Sequence, residues 1–229
     1  MNYFMKFPFL HIIIFLISFS IYSQKDSLNI GDYYADDQLY LSVHYSQLSE
    51  QPSTVSKSNF SYSLSTGFIK DILLNKEGTF SFAAGIGYGY DYFSHELKVD
   101  ELNNETSFST ASDITNNKFK VHNLEFPLEV RWRTSTAKKY SFWRIYTGLK
   151  FLYNLSNKFD YTASNASEIS FKNVSSYNNL QYGLTFSAGY DEFNINVFYG
   201  LTPIFKNASI DGEAINTKVL KFGLIFYLL

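Results

Sequence analysis

Glu125, Glu129, Arg131, Arg133, Arg144 and Lys150 hold the densest chemistry in the chain. Within 123–134, Leu124, Phe126, Leu128, Val130 and Trp132 alternate with Glu125, Pro127, Glu129, Arg131 and Arg133. That is the period-2 pattern of a strand with one apolar and one ionic face. Arg144 and Lys150 take the polar face of the next apolar stretch in the same way. If the two strands are antiparallel neighbours, the six charges form a ladder of buried pairs. Guanidinium groups suit it because their planar fork binds carboxylates in bidentate fashion. Such a set serves first as a structural plug, since buried charges persist only when paired, and second as a proton or ion relay.

Other chemistry is thin. His44 is expected on the polar face of the first strand, and His95 and His122 flank the longest connection. His95 with Asp91, Glu96 and Asp100 sketches the histidine and carboxylates of a surface-protease rim, but loop acids are usually just solvated. There are no cysteines, which removes thiol catalysis and cysteine metal sites. No Gly-rich phosphate loop or metal-ligand spacing occurs. No catalytic residue, metal or cofactor is expected.

The elements that must position the ionic set are strands. Eight are expected, over 38–48, 59–70, 79–93, 118–134 with a register change near His122, 142–155, 180–190, 193–201 and 217–229. Pro127 lacks a ladder donor, so a bulge is expected there. Connections alternate between long polar ones (49–58, 96–117, 158–178, 203–216) and short ones (71–78, 135–141, 191–192). Eight strands of this length with this alternation read as an all-β, antiparallel, up-and-down transmembrane β-barrel with short periplasmic turns and long outer loops.

Composition agrees. Of 229 residues, 19% are aromatic and only 17% charged, against roughly 25% charged in an ordinary domain. The net charge of −2 argues against a nucleic-acid partner. Residues 1–23 combine Lys6, an apolar run and small residues before Gln24, and are expected to be a signal peptide, followed by a short periplasmic lead over 24–37 and the barrel over 38–229. The protein is therefore expected in the bacterial outer membrane, with outer-membrane lipid as a partner.

A soluble sandwich would scatter lysines and glutamates over its outer face. Here the polar face collects glycines instead, among them Gly67, Gly87, Gly89 and Gly183, which suits a cramped lumen holding long side chains. Trp132, Trp143, Tyr190 and Phe193 lie beside short turns and form the expected periplasmic aromatic girdle; Tyr88, Tyr90, Tyr92, Tyr153 and Tyr199 supply its outer counterpart. Lys221, Gly223, Phe226 and Leu228 have the spacing of the β-signal read by the outer-membrane assembly machinery.

Gly67-Phe68-Ile69-Lys70-Asp71-Ile72, Gly85-Ile86-Gly87-Tyr88, the stretch Asn123 to Arg133 and Phe142-Trp143-Arg144-Ile145-Tyr146-Thr147-Gly148-Leu149-Lys150 resemble the PorT family of outer-membrane barrels. The likeness spans about 38–229. It implies a non-enzymatic component or assembly factor of type IX protein secretion, with associated gliding motility and other secretion proteins as partners. Lys138 and Lys139, in a short periplasmic turn, would then be a partner contact. The alternative is a generic small outer-membrane barrel whose surface loops bind a ligand or support the envelope. A passive porin is third, because an eight-stranded lumen is too narrow and too filled.

Overall fold

The alternating stretches all form strands. The structure, a computed structural model, describes residues 37–55, 59–110, 114–134, 143–163 and 168–228. The expected signal peptide, all but the last residue of the lead, Lys138, Lys139 and Phe142 lie outside the described residues.

The strands are β1 (Gln38–Ser49), β2 (Tyr62–Leu73), β3 (Phe80–Ser94), β4 (Leu97–Leu102), β5 (Glu105–Thr110), β6 (Ile114–Arg133), β7 (Trp143–Ala163), β8 (Glu168–Lys172), β9 (Leu180–Tyr190), β10 (Phe193–Gly200), β11 (Ser209–Ile210), β12 (Glu213–Ala214) and β13 (Lys218–Leu228). Eight of them, β1, β2, β3, β6, β7, β9, β10 and β13, close an antiparallel up-and-down barrel, with β13 returning to pair with β1 from Leu39↔Leu228 to Ser49↔Lys218. Closure leaves no free edge among these eight, which is what a strand protein needs in lipid.

The register fixes the tilt. Paired residues followed round the ring from Lys120 on β6 run through Tyr92, Tyr62, Tyr45, Phe222, Val197, Phe186 and Thr147, and return to β6 at Val130. That is a stagger of ten residues (130 − 120), the shear that tilted strands require in order to close. Alternation is strict below the rim: Leu39, Leu41 and Val43 face outward while Tyr40, Ser42 and His44 are buried.

Two features of the barrel strands differ from the sequence expectation and one agrees with it. β2 starts and ends three residues later than expected, which carries Asp71 onto the inner face. Pro127 makes no bulge. It pairs with Lys150 on one side, and on the other the ladder with β3 lapses at Gly85 and Ile86 while its register stays the same (84 + 128 = 87 + 125 = 212). The missing N–H is thus accommodated by an unmade rung. One irregularity in the β6–β7 ladder lies at the expected register change, between His122 and Asn123, where β7 carries the extra residue Leu155, and a second lies nearer the tip, between Thr115 and Lys118.

The long connections are also more than polar loops. β6 and β7 extend past the bulge, β8 pairs with β7, β4 pairs with β5, and β11 with β12. Together they bury a second core that includes Val99, Phe119, Phe159, Tyr177 and Phe205. Leu155 is what permits this. It switches the buried face of β7 from Arg144, Tyr146, Lys150, Leu152 and Asn154 to Asn157, Phe159 and Tyr161. The long connections therefore fold into a cap.

Candidate functional site: the filled lumen and its outer cap

Glu125, Glu129, Arg131, Arg133, Arg144 and Lys150 are all buried on the inner face, Arg131 at 0% and Arg133 at 1% exposure. Their pairing runs across the lumen as well as between the two neighbouring strands. Arg131 Nη1 donates to Asp71 Oδ1 at 2.8 Å and to Gln38 Oε1 at 3.1 Å, and its Nε donates to Glu129 Oε2 at 2.9 Å. Arg133 Nη1 bonds the other Asp71 oxygen, and its Nε donates to the carbonyl of Gly78 at 2.8 Å. Asp71 on β2 therefore bridges two arginines of β6. Arg144 reaches the carbonyl of Asp191 in the turn below.

Aromatic faces line the same layer. The Arg131 guanidinium lies 4.5 Å from the ring centroid of Tyr146 and 5.5 Å from that of Tyr227. Cation–π contact of this kind is worth more when desolvated. One level higher, Lys150 Nζ donates to Glu125 Oε2 at 2.9 Å, and the Tyr40 hydroxyl donates to the same oxygen at 3.2 Å. Glycines make that level possible: a Cβ on Gly67 would fall 2.6 Å from the Tyr40 ring, and one on Gly89 2.5 Å from the Glu125 carboxylate.

His44 Nε2 meets Asn196 Oδ1 at 2.8 Å. Above it Asp91 bridges β6 and β13, accepting from Asn123 Nδ2 at 3.0 Å and from Lys221 Nζ at 2.5 Å. The Lys221 ammonium also lies 5.6 Å from the Phe198 ring. The polar column then ends abruptly. Phe119 and Phe159 stack at 4.2 Å between centroids, and Phe205 packs 5.8 Å from Phe159 and 6.2 Å from Tyr177. Ion pairs fill the lower lumen and aromatic rings fill its mouth.

Lys221 and Gly223 of the expected β-signal thus also have local work. Lys221 holds Asp91, and Gly223 lets β13 approach the backbone of Val43 and His44 on β1 at the closing seam. Phe226 packs edge-on against Phe193 at 5.3 Å, and Leu228 pairs with Leu39. At the same end Trp143, Tyr190 and Phe193 face outward, with Trp143 and Tyr190 rings 5.5 Å apart, and Trp132 lies half-buried opposite Phe80. Tyr88, Tyr153 and Tyr199 are exposed near the outer rim, with Tyr90 and Tyr92 half-buried beside them.

The protease-like set does not assemble. Asp91 points into the lumen toward Lys221, Asp100 accepts from the Tyr161 hydroxyl, and His95 is buried in the cap core with neither ring nitrogen hydrogen-bonded. Burial alone pushes the His95 imidazole down to about 4. Among the described residues no three His, Asp or Glu side chains are placed to hold a metal.

Sequence reasoning gave no place in the lumen network to Asp71, Gln38 or Tyr40, and set Asp91 at the rim with His95 instead. Asp91 and Tyr40 stand at inward parity within their strands and are legible by alternation alone. Asp71 was hidden by the shifted end of β2.

The model of the outer membrane protein β-barrel domain matches residues 22–206. The chain belongs to this family of bacterial outer-membrane proteins. No curated protein matches the sequence. Among solved structures the family member is similar to Ail, the attachment invasion locus protein of Yersinia pestis, with a TM-score of 0.38 and 11% identity over 86% of this chain and 99% of that one. Ail in complex with the heparin analogue sucrose octasulfate matches with a TM-score of 0.35 and 13% identity, covering 86% and 99%. A mutant Rh. blastica porin matches with a TM-score of 0.21 and 8% identity, covering 85% and 100%. Likeness at this level carries nothing about function.

Proposed function

We propose that this outer-membrane barrel is a closed anchor whose working part is the folded outer cap, which presents a contact surface at the cell exterior in place of a channel through the membrane. The observation that carries this reading is the continuity of the cap core with the barrel mouth: Phe119, Phe159, Tyr177 and Phe205 pack as one aromatic body directly above the Asp91–Lys221 pair. A pore needs a wetted path, and a lumen of eight strands has little room to spare once it holds arginines and tyrosines. The cap binds a ligand or supports the envelope, and the barrel holds it at the surface.

Planar-bilayer recording of the purified full-length protein tests this. No stepwise conductance is expected at 100 mV-scale voltages; discrete ion-conducting openings would overturn it. In cells, removing the β4–β5 hairpin (97–110) is expected to leave the barrel inserted while producing an adhesion or envelope defect.

A second reading rests on the segments at Asn123 to Arg133 and Trp143 to Lys150, whose likeness to PorT proteins supports a part in type IX secretion. Comparative proteomics of medium and periplasm in a deletion strain separates the two. Many secreted proteins trapped together in the periplasm, and released on restoring the gene, would favour secretion over the surface-contact role.

A further inference from the structure

We infer that the outward face of β6, β7 and β8, just above the lipid-facing belt, binds the phosphorylated sugar headgroup of an outer-leaflet glycolipid. Lys120, Lys158 and Lys172 stand directly opposite one another on three successive strands, in the pairs Lys120↔Lys158 and Lys158↔Lys172, and Lys118 lies one pleat above Lys120. Neighbouring strands are about 4.8 Å apart, so the three ammonium groups can converge on one phosphate. Like charges facing each other across strands are destabilising unless an anion lies between them.

The protein supplies only part of that anion. Asp160 pairs with Lys158 Nζ at 2.6 Å and with Lys120 Nζ at 3.3 Å. Lys118 stands opposite Asp160 on β7, whose two oxygens pair with Lys120 and Lys158; Lys172 stands opposite Lys158, and Glu168 lies further along β8 opposite Thr162. The face carries cation in excess.

Its height selects the partner. Because the ring of paired residues falls by ten positions over eight strands, each step from β6 toward β3 descends and each step toward β8 climbs, by roughly 3 Å at the usual rise and tilt. Descending from Lys120, the same line meets Tyr92 and Tyr62, whose rings stack at 5.1 Å. Below Lys158 on β7 come Leu155 and Tyr153, both half exposed. Tyrosines mark the headgroup boundary, and the lysines sit immediately outside it, where the phosphates of the outer leaflet lie.

The test is retention of diphosphorylated lipid A by the full chain in nanodiscs, read by native mass spectrometry. Lys118→Gln with Lys172→Gln leaves the Asp160 pairs intact and is expected to lower retention roughly tenfold; the matched Arg double variant is expected to restore it. Lys206→Gln with Lys218→Gln, on the β13 side, is expected to leave retention unchanged. Asp160→Asn removes the competing carboxylate and is expected to raise retention, a sign that a merely structural role would not give. Equal retention of dephosphorylated lipid A, unchanged retention by the Lys118/Lys172 variant, or displacement by millimolar inorganic phosphate would each overturn the assignment.

Discussion

At the scale of single residues, Asp71 decides more than any member of the ionic set that the sequence singled out. It is the shared carboxylate of Arg131 and Arg133, whereas Glu129 bonds Arg131 alone, and Arg131 without Glu129 would keep Asp71 and Gln38. Asp71→Asn leaves two buried guanidinium groups short of charge and is expected to cost about 3 kcal/mol or more. Glu129→Gln removes one bond of several and is expected to cost about 1–2 kcal/mol. Urea unfolding in lipid vesicles, followed by heat-modifiable gel migration, measures both. Equal losses, or the reverse order, would show that the arginines are held by something other than Asp71. The charged half of this layer was legible because alternation places Glu129, Arg131 and Arg133 on one face. Its keystone was not, because period-2 reasoning fixes faces well and strand ends badly, and Asp71 lies just beyond the expected end of β2.

At the scale of elements, β7 joins two unlike environments, and Leu155 is the joint. Below it the inner face carries Arg144, Tyr146 and Lys150; above it Phe159 and Tyr161 turn inward while Lys158 turns out. Deleting Leu155 would bring the upper half into phase with the lower, turning Phe159 and Tyr161 to solvent and forcing Lys158 into the core. A one-residue slip exchanges every side chain between faces. The deletion variant is expected to keep a heat-modifiable barrel yet lose its cap to limited proteolysis within 97–110 and 168–179. A cap as resistant as wild type would mean that the bulge is incidental. The register change near His122 could be read from the sequence because both flanking segments keep their alternation. The full length of β7 could not, since Asn157 and Lys158 interrupt the apolar stripe where the strand leaves the membrane.

At the scale of the whole molecule, a barrel filled by ion pairs carries a cap held by hydrophobic contact, and acid should act on the two differently. The cap core draws Val55, Val99, Tyr177 and Ile215 from four separate connections, each an apolar residue set among polar ones. Only closure of the barrel brings those connections together, so the barrel was legible from local alternation and the cap was not. His95 lies in this core beside a cavity of about 10 Å³ lined by Leu48, Val55, Phe119 and Ile204 among others, none of the lining groups being charged. Its imidazole is pushed down to about 4 from an ordinary 6.5 by burial. An opened cap therefore binds a proton that the closed cap refuses. Cap stability is full above about pH 6.5, falls as the pH drops from there toward 4, and is flat below, a total change on the order of 3 kcal/mol. Hydrogen exchange of 95–110, corrected for intrinsic rates, is expected to quicken roughly 20-fold between pH 7 and pH 5. His95→Leu is expected to abolish that dependence while the amides of β1 and β13 stay protected in both proteins. Quickening of the same size in His95→Leu would assign the acid response to other groups, and cap amides that exchange alike at both pH values in the wild type would mean that His95 takes up its proton without the cap opening.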